Sequence, residues 1–331
     1  MEPVRIASIG LGWWGGVLAE KASAGGADVI RCFARSAESR DAFAETHGAR
    51  PASSYEEVLS DPDVEGVLIA TPHSTHADLV VQAAAAGKHV FCDKPFTLTV
   101  AEAKRATHAA AEAGVVLQVG HNRRRQPANR RLKQMIDDDE LGMVHYAEAN
   151  LSYPKGLTPR SGWRGEPEES PAGGMTGLGV HMADNLIYLL GTPTRVQAFS
   201  RRTIGVGKLD DVTTANLEFE NGALAYLATS MVIPTIARVS VWGTKAAAMN
   251  ELDGEQFFLQ ASGEMDKTPQ EIETLDTVKD ELEEFARNVR SGSAPETGGP
   301  EAIEVVAVLE GIVESAQRGT VVDLDEVRGR S

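Results

Sequence analysis

At 331 residues, 42% hydrophobic and 24% charged, the chain has the composition of an ordinary folded protein with room for two domains. Its net charge of −16 is spread over short acidic clusters, and the one dense basic run, Arg123, Arg124 and Arg125 with Arg130 and Arg131, is too local to track a nucleic-acid backbone, so no nucleic-acid partner is expected. No apolar run reaches the roughly 18 residues of a membrane span, a strand pattern begins within a few residues of Met1, and Cys32 and Cys92 lack metal-ligand or disulfide spacing, so the expectation is a cytoplasmic protein with buried thiols and no metal.

Short apolar runs at residues 4–9, 29–33, 64–70, 89–92 and 115–119 alternate with helical patterns. That alternation requires crossovers and predicts a parallel sheet covered on both faces. The first run leads into GLGWWG, in which Gly10, Gly12 and Gly15 permit a tight turn and bring backbone N–H groups and a helix start to a pyrophosphate, with Trp13 and Trp14 in the same cradle. The second run ends on Ala34, where an NAD site carries an acid for the ribose 2′-hydroxyl. Arg35, Ser36 and, a turn later, Arg40 suit a 2′-phosphate instead, which favours NADP over NAD; the alternative is that Ser36 is only an N-cap and Arg35 a solvated neighbour. Ser54-x-x-Glu57 and Thr99-x-x-Glu102 read as capping boxes, and Gly87 and Gly114 as helix terminators.

Beyond residue 120 the texture changes, which suggests domains of 1–120 and 121–331. The basic run is either a solvated helix face or a contact to an anionic substrate or cofactor phosphate. A helix is expected over 130–137, a strand over 144–153, a Pro/Gly-rich binding loop over 154–174, and a helix over 175–190 ended by Gly191. Alternating strands from 194 to 259, with an Asn221-Gly222 hairpin, predict a mostly antiparallel sheet. Helices over 278–290 and 300–317 and a strand over 321–324 complete the chain.

Together GLGWWG, ATPHSTHADLVVQAAAAGKHVFCDKP and AGGMTGLGVHMADNL resemble the Gfo/Idh/MocA family, the relatives of glucose-fructose oxidoreductase and inositol dehydrogenase, over essentially the whole chain. The family's Glu-Lys-Pro is similar to Asp93-Lys94-Pro95, and its helix histidine to His181. The resemblance implies an α/β protein with an amino-terminal Rossmann domain and a carboxy-terminal α/β domain, whose mostly antiparallel open sheet serves homodimer or homotetramer contacts. It also implies nicotinamide-dependent oxidation of a secondary alcohol in a sugar, cyclitol or cyclic dihydrodiol. In the same way Lys94 is expected to contact both nicotinamide ribose and substrate hydroxyl, and Thr71, Pro72, His76 and Asp93 to line the cofactor cleft. Trp163 and Arg164 are expected to close on the nicotinamide side, and His121, Asn122, Arg123 and Tyr153 to line the substrate cleft. The chain departs from the pattern at Gly177, where many relatives carry an aspartate four residues before the histidine. The surrounding PAGGMTGLGVHMAD looks more like a subgroup that includes dihydrodiol dehydrogenases.

Hydride leaves a carbon more readily as its hydroxyl loses a proton, so such a site needs a base and a positive charge. His181 supplies the first and Lys94 the second. Lys94 stands just past a parallel strand, at the edge where open α/β sheets bind ligands, and Pro95 restricts its backbone to extended conformations. Asp184, three residues after His181, shares its helix face and either orients the imidazole or binds a substrate hydroxyl. Judged without the family, such a histidine is more often a satisfied core residue, and the family match reverses that reading. Two rival functions share the fold: transient redox use of the cofactor with net elimination or hydrolysis, and non-catalytic NADP binding.

Overall fold

The computed structural model describes residues 2–330, which form two compact units. One comprises the chain to Asn122 together with Asp276–Ile303; the other comprises Arg123–Leu275 and the stretch from Glu304 to Arg330. A division at residue 120 therefore leaves out a segment that returns to the first unit.

In the first unit β1 (Val4–Ile9), β2 (Ala27–Phe33), β3 (Arg50–Pro51), β4 (Gly66–Ile69), β5 (His89–Cys92) and β6 (Leu117–Val119) form a parallel sheet in the order β3-β2-β1-β4-β5-β6. The helices α1 (Trp13–Ala24), α2 (Ala37–His47), α3 (Tyr55–Ser60), α4 (His76–Ala85) and α5 (Val100–Ala113) lie between the strands in the chain. Strand β4 is buried throughout and β1 nearly so, as a sheet covered on both faces requires, which is why these strands read as largely apolar runs, broken in β1 by Arg5 and Ser8. The edge strand β3 has two exposed residues and carries no such signal. The order in which strands are laid down reverses between β1 and β4, the place where open α/β sheets leave a crevice at their carboxyl ends. Ser54 and Thr99 cap α3 and α5, accepting from the N–H groups of Glu57 at 3.1 Å and Glu102 at 3.3 Å. The Glu57 carboxylate reaches one residue further back than a capping box predicts, accepting from the Ser53 N–H at 2.7 Å.

The second unit contains α6 (Pro127–Asp137), β7 (Val144–Ser152), α7 (Val180–Leu190), β8 (Pro193–Arg201), β9 (Val212–Phe219), β10 (Leu224–Ser230), β11 (Ile236–Gly243), β12 (Ala246–Glu251), β13 (Gln256–Ala261) and β14 (Thr268–Gln270). With β15 (Val322–Asp323) these strands form a nine-stranded sheet in the order β14-β13-β12-β11-β7-β10-β9-β8-β15. Only β7 and β10 run parallel among the described pairs of this sheet. Strands β8 and β9 largely alternate buried and less buried residues, the pattern of a sheet with one covered face. Helix α6 begins before residue 130 because Pro127 takes a first-turn position, where its missing N–H costs nothing. The helix expected over 175–190 opens as a π-turn, Met175–Gly179, before becoming α7. The terminal strand is shorter than expected and gives way to α10 (Leu324–Arg328), capped by the Asp323 carboxylate. No helix among the described residues is long and apolar enough to cross a membrane.

The returning segment carries α8 (Thr277–Ser291) and the start of α9 (Gly299–Arg318). Leu282 and Phe285 of α8 are fully buried in the core behind the first sheet, with the Phe285 ring edge-on to Phe91 at 5.9 Å. Arg290 of α8 donates to Glu65 at 2.6 and 3.1 Å, and the Arg5 N–H donates to the same carboxylate at 2.9 Å. The Arg290 guanidinium, ahead of Arg5, holds the Glu65 carboxyl down at about 2 from its ordinary 4.5. The unfolded chain therefore binds the proton first, so this stabilisation is complete above pH 4.5 and is lost as pH falls toward 2. Glu65→Gln is expected to lower stability at pH 7 by about 1.5 kcal/mol and to flatten the acid loss, as measured by urea unfolding across pH.

Candidate active site

The glycine cradle is built by close backbone approach. Gly10 has φ 92°, and a Cβ there would lie 2.5 Å from the Ala70 carbonyl oxygen; a Cβ on Gly15 would lie 2.1 Å from the Gly10 oxygen. Helix α1 starts after Gly12 with no side-chain cap and no acid in its first turn, while a Cβ on Gly12 would meet no atom within 4 Å. Open space over uncapped N–H groups at the positive end of a helix is the donor set that a pyrophosphate requires. Trp13, 79% exposed, stands beside Trp14 with ring centroids 5.5 Å apart.

At the end of β2, Ser36 accepts from the Ser39 N–H at 3.3 Å and caps α2. Arg40 donates to the Ala34 and Arg35 carbonyls at 2.8 and 3.2 Å, bracing the loop from within. Arg35 is exposed and has no ion pair among the described residues, which leaves it, of these two arginines, as the one turned to solvent.

Strands β4 and β5 are neighbours, with Ile69 paired to Cys92, so Thr71 and Lys94 both stand two residues past the last paired position. Thr71 and Pro72 enter a short 3-10 turn, His73–Thr75, in which the Thr75 hydroxyl donates to the Pro72 carbonyl at 2.6 Å and lies 2.7 Å from the Thr71 hydroxyl. Asp93, Lys94 and Pro95 follow β5 at the same edge. His76 does not line an open cleft as expected: it is 0% exposed, with Nδ1 3.1 Å from the Pro95 and Phe96 carbonyl oxygens and Nε2 3.1 Å from that of Thr71. Burial pushes its pKa down. His121 is buried after β6, and Asn122 donates to the Thr277 hydroxyl of α8 at 2.9 Å.

In the second unit the basic run turns inward rather than forming a solvated face or offering its first two arginines to an anion. Arg123 donates through Nε to Asp253 at 2.8 Å and through Nη2 to the other oxygen at 2.5 Å. Arg124, 5% exposed, makes a two-pronged bond to Asp184, with Nε to Oδ2 at 3.1 Å. The Tyr188 ring has Arg124 and Arg130 at 5.2 and 5.4 Å from its centroid, and its hydroxyl accepts from Arg130 at 3.0 Å. Asp184 is thus the buried partner of Arg124. His181 lies three residues before it on α7 and is itself buried. Arg164 stacks on Trp163 at 4.1 Å in a turn of the 154–174 loop.

Tyr153 shares hydrogen bonds with Arg123 and Asp253, and burial leads the causes that raise its pKa. Gln126 donates to the Asp253 carboxylate and carbonyl at 2.8 and 2.9 Å. Asp253 and Leu252 have φ of 60° and 52°, a costly left-handed pair that these bonds retain. Asp253 and Gln126 lie outside the residues expected at the site; the Asp253-Gly254 dipeptide signals a turn, not the distant arginine that the turn holds.

Comparison with known proteins places these features in context. The GFO/IDH/MocA model described as an oxidoreductase family with an NAD-binding Rossmann fold matches residues 4–121, and the GFO/IDH/MocA C-terminal domain matches residues 129–249. The 1,5-anhydro-D-fructose reductase of Ensifer adhaerens is 33% identical over 60% of this chain, a match that spans only 61% of that relative's length. The scyllo-inositol 2-dehydrogenase (NAD(+)) of Bacillus subtilis strain 168 is 31% identical, with 82% of this chain and 81% of the relative covered. A solved structure from Desulfitobacterium hafniense DCB-2, described as a candidate NADPH-dependent oxidoreductase, is 32% identical, with a TM-score of 0.94 and coverage of 99% of this chain and 100% of the other.

Proposed function

Because the chain belongs to the GFO/IDH/MocA oxidoreductase family, we propose that it is an NAD(P)-dependent dehydrogenase or reductase acting between a secondary alcohol and a ketone of a sugar, cyclitol or cyclic diol. The observation that carries the reading is the carboxyl edge of the first sheet, where the open, uncapped start of α1 and the loops after the neighbouring strands β1, β4 and β5 coincide. When bound, the nicotinamide supplies or receives the hydride. The chain's own part is charge and proton handling. The Lys94 ammonium stabilises the oxygen as negative charge develops on it, and the neutral His181 imidazole takes the hydroxyl proton during oxidation and returns it during reduction. Cytoplasmic location and self-association through the nine-stranded sheet belong to the same proposal; Tyr146, Leu224 and Val321, exposed together along one shallow cavity of that sheet, support the latter.

A screen of polyols, sugars and cyclic diols with NAD and NADP, followed by the absorbance of reduced nicotinamide, tests the reading. Substrate consumption without net nicotinamide change would support transient redox chemistry instead. Within this proposal NADP is the preferred cofactor, since Ala34 offers no carboxylate to a ribose hydroxyl and Arg35 remains exposed. Arg35→Ala is expected to weaken NADP binding by about 10- to 100-fold, the worth of a charge-assisted contact, and to leave NAD binding unchanged. Titration of Trp13/Trp14 fluorescence with each cofactor measures it, and equal losses would reject the phosphate contact.

A further inference from the structure

The His76 ring faces three carbonyl oxygens and, as a neutral imidazole, has one N–H to give. Burial holds its pKa down, so the neutral form is the one to consider near pH 7. All three acceptors lie in the same unit as the ring. Two of them, the Pro95 and Phe96 carbonyls, converge on Nδ1 and belong to the residues directly after Lys94; the third, of Thr71, meets Nε2. The Thr71 loop has a brace of its own in the Thr75 hydroxyl. Placing the hydrogen on Nδ1 satisfies two buried acceptors with one donor and leaves the Nε2 lone pair against the Thr71 oxygen alone, whereas placing it on Nε2 would satisfy one acceptor and leave a ring lone pair against two. His73 is ring-to-ring with His76 at 5.9 Å, and Asp93 is the nearby charge that favours a protonated ring.

We propose that His76 is a positioning residue: its Nδ1–H holds the Pro95 and Phe96 carbonyls and thereby fixes the backbone from which Lys94 projects. The proposal rests on Lys94 being catalytic. It assigns to this histidine no contact with cofactor or substrate, only the aim of the lysine, whose misplacement by about 1 Å costs on the order of a hundredfold in rate.

Two substitutions separate the ring nitrogens. His76→Asn carries an amide N–H near the Nδ1 position, while His76→Gln carries it near Nε2. With the fastest substrate from the polyol, sugar and diol screen, kcat of His76→Gln is expected to fall about 10- to 100-fold and that of His76→Asn to exceed it by about tenfold. NADP dissociation constants, read by tryptophan fluorescence, should stay within about threefold of the parent in both variants, because the glycine turn and the start of α1 supply the pyrophosphate donors and His76 meets that edge only through the Thr71 carbonyl. Gln and Asn variants of equal kcat, or losses that simply follow a common fall in thermal midpoint, would overturn the proposal. Nitrogen-15 NMR of the histidine-labelled parent gives an answer that does not depend on the variants folding: hydrogen on Nδ1 supports it and hydrogen on Nε2 overturns it. Parent-like turnover in Lys94→Ala would remove the catalytic reading and this proposal together, whereas loss there with parent-like turnover in His76→Gln would remove the positioning role alone.

Discussion

Lys94→Ala is expected to lower turnover by about a hundredfold or more while leaving NADP affinity within about tenfold of the parent, the effect of removing charge stabilisation from a site that still binds. The asymmetry follows from where the parts sit. In the proposed site the pyrophosphate rests on backbone N–H groups at the start of α1 and the 2′-phosphate on Arg35 at the end of β2, which would give cofactor affinity its own supports. Lys94 comes from a different loop, after β5, and its charge matters most when an oxygen becomes an alkoxide. Single-turnover rates and fluorescence-measured Kd values on one preparation check both halves, and near-parent turnover in the variant would sink the assignment.

The second large effect concerns the proton. Gly177 provides no carboxylate, and both oxygens of Asp184 accept from Arg124, which is why His181 is the base in the proposed mechanism. A protonated imidazole cannot accept a proton. In the oxidation direction, kcat/KM is therefore expected to rise with pH through a single ionisation in the histidine range as the ring becomes neutral. His181→Asn should remove that limb and slow oxidation by about 10²- to 10⁴-fold. Gly177→Asp should fold, since a Cβ there meets no atom within 4 Å, and should change the pH profile or substrate preference without being needed for activity. An unchanged acid limb in His181→Asn would mean that another group, such as Tyr153, moves the proton.

The first unit was readable because its signals are local. Buried parallel strands show as apolar runs, and the turn into α1 demands glycine at Gly10 and Gly15. The basic run is open in the sequence between a solvated face and an anion contact because charge there is weighed by its neighbours, whereas the carboxylates that meet Arg123 and Arg124, those of Asp253 and Asp184, come from distant segments. His76 shows the same limit. Spacing put it beside Thr71 and Pro72, which is where it lies, but nothing in the spacing separates a residue that faces a ligand from one buried behind the loop. The Asp253 turn carries local turn chemistry, yet its hold on Arg123 depends on a strand pairing that sequence does not print.

The return of residues 276–303 has a consequence for biosynthesis. The first sheet is translated by Val119, but Leu282 and Phe285, which seal its core, leave the ribosome only after the whole of Arg123–Leu275 has been made. In chain order Arg123–Leu275 interrupts the first unit, so the amino-terminal half cannot follow the usual course of folding to completion as soon as it emerges. A nascent chain stalled near residue 250 should expose the apolar surface around Phe91 and be held by chaperones or cut by added protease, and release of the chain through Ser291 should end that vulnerability.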